Sequence, residues 1–169
     1  MTEIEEIEKR FKKKIEELRI ELPKKYTEGK IATQNCAALT MRSFLEIIDV
    51  KNLNYINMAS PLASIANTCG AVNAALMIIG MIAGRNGKKE LHQLAAATEG
   101  MKFINQFNKE FGSIQCLTLT GGYDLLTLEG MENYLKDKIW EKKCYKYVVL
   151  AIDIIGKLYK KQVARIFLK

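Results

Sequence analysis

Four cysteines, Cys36, Cys69, Cys116 and Cys144, are the residues in this chain best equipped for chemistry. A thiolate is a nucleophile, a soft metal ligand and one half of a disulfide, and a helix N-terminus or a nearby cation lowers the pKa that controls its supply. At least two of the four positions offer such help. Asn35-Cys36-Ala37 and Asn67-Thr68-Cys69 read as helix starts, since Asn and Thr side chains cap the free amides of a first turn. Cys116 falls on the turn-like stretch SIQCLTLTGGYDLLT, and Cys144 follows Lys142-Lys143 at a helix junction. Gly70, directly after Cys69, has no side chain, so backbone there can come close to a cluster, a metal or another helix.

The cysteines are far apart in sequence, and there is no C-x2-C pair and no CxxCH. That spacing disfavours a thioredoxin-type dithiol, a c-type haem and the compact zinc motifs, and leaves convergence in three dimensions as the route to a shared site. The N-terminal MTEIEEIEKRFKKK lacks an apolar signal-peptide core, so the expected location is cytoplasmic. In a reducing compartment the cysteines are expected to be free, metal-bound or redox-active rather than a disulfide framework. Other chemistry is thin. His92, the single histidine, reads as an ordinary helical residue, and Asp124 as a cap for the next helix. Gly121-Gly122 lacks the Lys and Ser or Thr of a phosphate loop. Met77 and Met81 read as core, and Trp140 as an anchor of a late helix.

The elements that must position these sulfurs are helical. The chain of 169 residues is 49% hydrophobic and 27% charged with only two prolines, a composition poor in breakers. Residues 3–22 place Ile4, Ile7, Phe11, Ile15, Leu18 and Leu22 at three- and four-residue steps, an amphipathic helix followed by a polar link from Lys24 to Ile31. Further helices are expected over 33–48, a short one over 52–59 ending near Pro61, and one from Cys69 to the stop signal Gly84-Arg85-Asn86-Gly87. The pattern continues with 88–111 closed by Gly112, then 129–143 and 145–168. The expected architecture is all-α, a single-domain bundle of five or six helices, with an amphipathic N-terminal helix and link (1–30) ahead of a four-cysteine helical domain (31–169).

No charged residue occurs between Asn52 and Gly84, but Ser64, Asn67, Thr68 and Asn73 interrupt that span, so it reads as a buried helix rather than a membrane-spanning one. The net charge is +7, and the chain from Lys136 onward carries the whole excess. Those lysines interleave with apolar residues at helical spacing and form no specific nucleic-acid motif, so they read as a solvated helix face.

The order of motifs resembles the C_GCAxxG_C_C family: Asn35-Cys36-Ala37, then Cys69-Gly70-Ala71 leading to Leu76-Met77-Ile78-Ile79-Gly80, then Phe111-Gly112-Ser113-Ile114-Gln115-Cys116 with Leu119-Thr120-Gly121, and finally Lys143-Cys144. The resemblance runs from about residue 33 to residue 155. It implies a small helical redox-active protein with four characteristic cysteines, associated with oxidoreductase or transporter systems. A related domain of split-Soret cytochromes is held to bind an iron-sulfur centre through its cysteines. Carried over, this makes Cys36, Cys69, Cys116 and Cys144 the metal ligands or redox thiols, with Gly70 beside them. Two features depart from the family pattern: Ala74 stands where the family has glycine, and ASPLASIANT replaces a glycine-rich stretch before the second cysteine.

The function expected from this resemblance is an iron-sulfur cluster, or another thiophilic metal such as zinc, held for electron transfer. The chain would serve a redox partner protein or an oxidoreductase rather than act as a stand-alone enzyme. Two alternatives stand beside it: a cofactor-free thiol-disulfide protein, and a helical interaction protein whose cysteines are buried filler. The amphipathic first helix offers a surface for a homodimer or for the partner.

Overall fold

The computed structural model describes residues 2–27, 35–63, 67–85 and 91–168. Helix α1 spans Glu3–Thr27, and the stripe read from its sequence is its buried face except at its start: Ile4 is exposed, while Ile7, Phe11, Ile15, Leu18 and Leu22 are buried, and the helix packs on the last one, α8 (Tyr145–Phe167). The two approach closely because α8 carries Gly156. A methyl group there would lie 2.8 Å from Cδ1 of Phe11, so the ring rides against bare backbone. Lys160 on α8 reaches Glu8 on α1 at 2.8 Å, a half-exposed pair that solvent screens. Helix α1 continues through Pro23, although the sequence suggests a stop there, and so takes up the first part of the expected link. Leu22 is 3% exposed, and this anchorage one residue earlier holds the chain on its helical path despite the hydrogen bond that proline forfeits.

Helix α2 (Cys36–Ile47) leads to α3 (Leu53–Ala59), which tightens into one 3₁₀ turn at Ser60–Leu62 around Pro61. Helix α4 (Gly70–Ala83) lies at the centre, packed on α2, on α5 (His92–Phe111) and on α8. Ala71, Val72, Ala74, Ala75, Ile78, Ile79 and Ile82 are buried there, which accounts for a stretch without charge. Among the described residues no helix is long and apolar enough to cross a membrane. Ala74 is fully buried, its methyl absorbed in the core.

The fold is all-α, but with eight α-helices among the described residues rather than five or six. Part of the difference lies at residues 112–145. The turn-like stretch contains a short helix, α6 (Cys116–Thr120), so Cys116 opens a helix instead of lying on a loop. Gly121 and Gly122, with φ of 94° and 96°, close it: their amides return to the Leu117 carbonyl at 3.2 and 2.8 Å, a conformation that L side chains resist. The helix expected over 129–143 is two pieces. Helix α7 (Leu128–Lys136) ends where Lys138 adopts φ of 53°, and a π-helical turn, Trp140–Cys144, then runs directly into α8. No glycine or proline marks that break. The cap of α7 is Thr127, whose hydroxyl accepts from the Gly130 amide at 3.0 Å, whereas Asp124 accepts from Leu126 inside the preceding turn. Trp140 is buried, as an anchor should be; Met77 and Met81 are only partly buried against the core. The remainder of the link, residues 28–34, and the helix boundary at residues 86–90 lie outside the described residues.

Candidate functional site

Each cysteine is delivered by a different element. Cys36 is the first residue of α2. Asn35 caps that helix, its Oδ1 accepting from the Ala38 amide at 2.9 Å while its Nδ2 donates to the Ser60 carbonyl at 2.9 Å. One side chain thus fixes the start of α2 and ties it to the 3₁₀ turn. Cys69 is the N-cap residue of α4, Cys116 opens α6, and Cys144 ends the π-helical turn at the head of α8.

A single antiparallel bridge between Thr68 and Gln115 draws two of these ends together. The Cys69 amide donates to the Ile114 carbonyl at 2.8 Å, and the Cys116 amide donates to the Asn67 carbonyl at 2.6 Å. Both bonds run through the cysteines' own backbone, so the bridge fixes the sulfur-bearing positions themselves. Two contacts bind α6 to the α8 end. Tyr147 donates to the Leu119 carbonyl at 2.7 Å, and Lys143 Nζ donates to the Thr120 carbonyl at 3.0 Å. The Lys143 contact places a cation at the carbonyl end of the short helix.

Gly70 is where Cys36 enters. A Cβ on Gly70 would sit 2.6 Å from the Cys36 sulfur and 3.0 Å from Cα of Ala63. The close approach expected at this glycine is therefore made by a sulfur, in a space that any side chain would fill.

The electrostatics bind the four sulfurs into one group. The interaction with Cys69 and then burial push the Cys36 thiol well up, and the charges of Cys69, Cys144 and Cys116 add to the effect. Cys69 is shifted the other way, first by Cys36 and then by the Ala71 and Val72 amides at the head of α4, which outweigh its burial. These amides favour the thiolate at longer range; no capping hydrogen bond closes onto the sulfur. Burial raises Cys116 to about 11, with Cys69 adding to it. Burial likewise raises Cys144 to about 12, against the opposing hydrogen bond from Tyr134 and the charge of Lys143. The expectation that at least two sites favour thiolate thus holds only at Cys69. At the others, burial and neighbouring sulfurs outweigh a helix N-terminus or a lysine.

Two residues escaped the sequence reading. Tyr134 donates its hydroxyl to the Cys144 sulfur at 3.3 Å, with both side chains buried. Tyr147 lies within electrostatic range of Cys144, Cys69 and Cys116; burial and then those sulfurs raise its pKa to about 12. Its position three residues after Cys144, on the same helix face, was a usable signal; Tyr134, ten residues before it and across a break, gave none. His92 opens α5, and Asp124 is engaged in the turn before α7. Among the described residues no group of three or more His, Cys, Asp or Glu side chains is gathered tightly enough to hold one metal ion.

An all-helical fold whose four cysteines, two buried and two partly buried, arrive from four elements and act on one another electrostatically defines a class of thiol-centred protein. The chain belongs to the C_GCAxxG_C_C family, whose description reads "Putative redox-active protein (C_GCAxxG_C_C)" and whose model matches residues 34–158. No curated protein and no solved structure matches the chain. Helix α1 lies ahead of the matched region.

Proposed function

We propose that Cys36, Cys69, Cys116 and Cys144 together hold an iron-sulfur cluster, and that the chain passes electrons between this centre and a redox partner protein. The observation that supports the reading is four soft sulfur donors, delivered by four elements, close enough for their charges to act on one another. The donor set fits the group chemically. Four thiols in close electrostatic contact resist ionising together, and a cationic centre removes that penalty. A cluster of several irons also spans more space than a single ion, so its ligands need not converge on one point. When bound, the cluster would supply a one-electron carrier. The protein's part is to fix its ligands: the Thr68–Gln115 bridge holds Cys69 and Cys116, Asn35 holds Cys36, and Lys143 and Tyr147 hold α6 against the α8 end that bears Cys144. Iron and sulfide content of protein purified without oxygen tests this, with loss of both expected in Cys→Ser variants at all four positions.

A second reading rests on Cys36 and Cys69. Their side chains hydrogen-bond, and the Cys36 sulfur lodges against Gly70, the residue directly after Cys69, as a dithiol pair requires. Closing that pair would release two protons and two electrons to a disulfide or quinone oxidant. A thiol count that falls by two on mild oxidation, in protein without iron, would favour it.

A further inference from the structure

We infer that Tyr134 is a positioning residue for the Cys144 sulfur, setting its orientation and its electron density through a hydrogen bond from the phenol. The geometry is specific. The hydroxyl lies 3.3 Å from Sγ, the tyrosine is 8% exposed and the cysteine 7%, so the contact is sheltered from competing water.

The two partners come from different elements, with Tyr134 on α7 and Cys144 at the end of the π-helical turn. Between them the helix is interrupted at Lys138, with φ of 53°, without the glycine such a conformation favours. The one buried residue of α7 is this tyrosine, whose hydroxyl meets the sulfur. A second bond steadies the same end of α7, since Tyr123 donates to Asp137 at 2.6 Å. Tyr147 also feels the charges of the sulfurs, but its hydroxyl is committed to the Leu119 carbonyl at 2.7 Å. The two phenols therefore differ in role: one donates to a sulfur, and the other braces α6.

A donor on a ligating sulfur draws charge from it and stabilises the more negative, reduced state of whatever the sulfur binds. This consequence rests on the proposed cluster, while the contact itself does not. Two measurements on the full-length chain keep them separate.

The first is infrared spectroscopy of the reduced, metal-free protein. The Cys144 S–H stretch is assigned by its loss in Cys144→Ser, then compared in Tyr134→Phe and Tyr147→Phe. A shift of that band in Tyr134→Phe, with none in Tyr147→Phe, is expected. An unmoved band, or equal shifts in both variants, would overturn the inference.

The second is the reduction potential of the iron-loaded protein. Tyr134→Phe should keep the absorption bands of the wild type and move to a lower potential, while Tyr147→Phe stays near the wild-type value. An unchanged potential in Tyr134→Phe would remove the tuning role. If the wild-type chain binds no iron, the cluster reading fails, and the infrared comparison still decides the role of Tyr134.

Discussion

At the scale of single residues, the site depends on space as much as on sulfur. Gly70 leaves room for the Cys36 thiol, and the obstacle to any larger residue includes the Ala63 backbone, which cannot swing aside. Gly70→Ala should therefore lower stability by about 1–3 kcal/mol, the usual cost of overpacking, and also abolish iron binding. Denaturant midpoint and iron content of the same preparation check both parts. Asn35→Ala removes a cap at the neighbouring helix start and should cost about 1 kcal/mol by denaturant titration, with weaker retention of iron because Cys36 loses its fixed register. Gly70 was legible in the sequence as a point of close approach, because glycine after a helix-starting cysteine has few other uses. That a sulfur of the same chain is what approaches was not legible, since residues 36 and 70 meet only through the fold.

At the scale of elements, most helices follow from periodicity and their meeting points do not. The apolar steps of α1, α4 and α8 predict the helices and most of their buried faces, although Ile4 and Leu158 are exposed and Leu76 is only partly buried. The bridge at Thr68–Gln115 has no signature, being one residue pair between two irregular stretches, yet it brings Cys69 and Cys116 side by side. The break between α7 and α8 was equally silent, because Lys138 takes a left-handed conformation at a position with no marker residue. Element packing also separates fold from site. Gly156→Ala presses a methyl onto the Phe11 ring and should loosen α1 from α8, lowering the denaturant midpoint by an amount equivalent to about 1–3 kcal/mol. Its iron absorption should match the wild type, because no sulfur touches that contact. The apolar face of α1 packs on α8 of the same chain.

At the scale of the whole molecule, the coupled thiols make stability of the reduced, metal-free protein depend on alkaline pH. Cys116 and Cys144 titrate near 11 and 12 when folded, against an ordinary value of 9.0, and Cys36 is raised as well. Above that ordinary value the unfolded chain binds fewer protons than the folded one, so stability present below about pH 9 is lost as pH rises toward 12. Cys69 acts in the opposite sense, its lowered pKa adding stability as pH rises toward 9. Three groups against one give a net decline. Denaturant midpoints between pH 8 and 11 should fall, and the fall should flatten in Cys144→Ser.

The central claim, that the four sulfurs hold an iron-sulfur cluster, is tested most directly by the visible absorption spectrum of protein purified without oxygen from an iron-replete host. The account predicts broad thiolate-to-iron absorption that bleaches on reduction and disappears in Cys36→Ser, Cys69→Ser, Cys116→Ser and Cys144→Ser. A colourless wild-type protein, folded and with four titratable thiols, would contradict it.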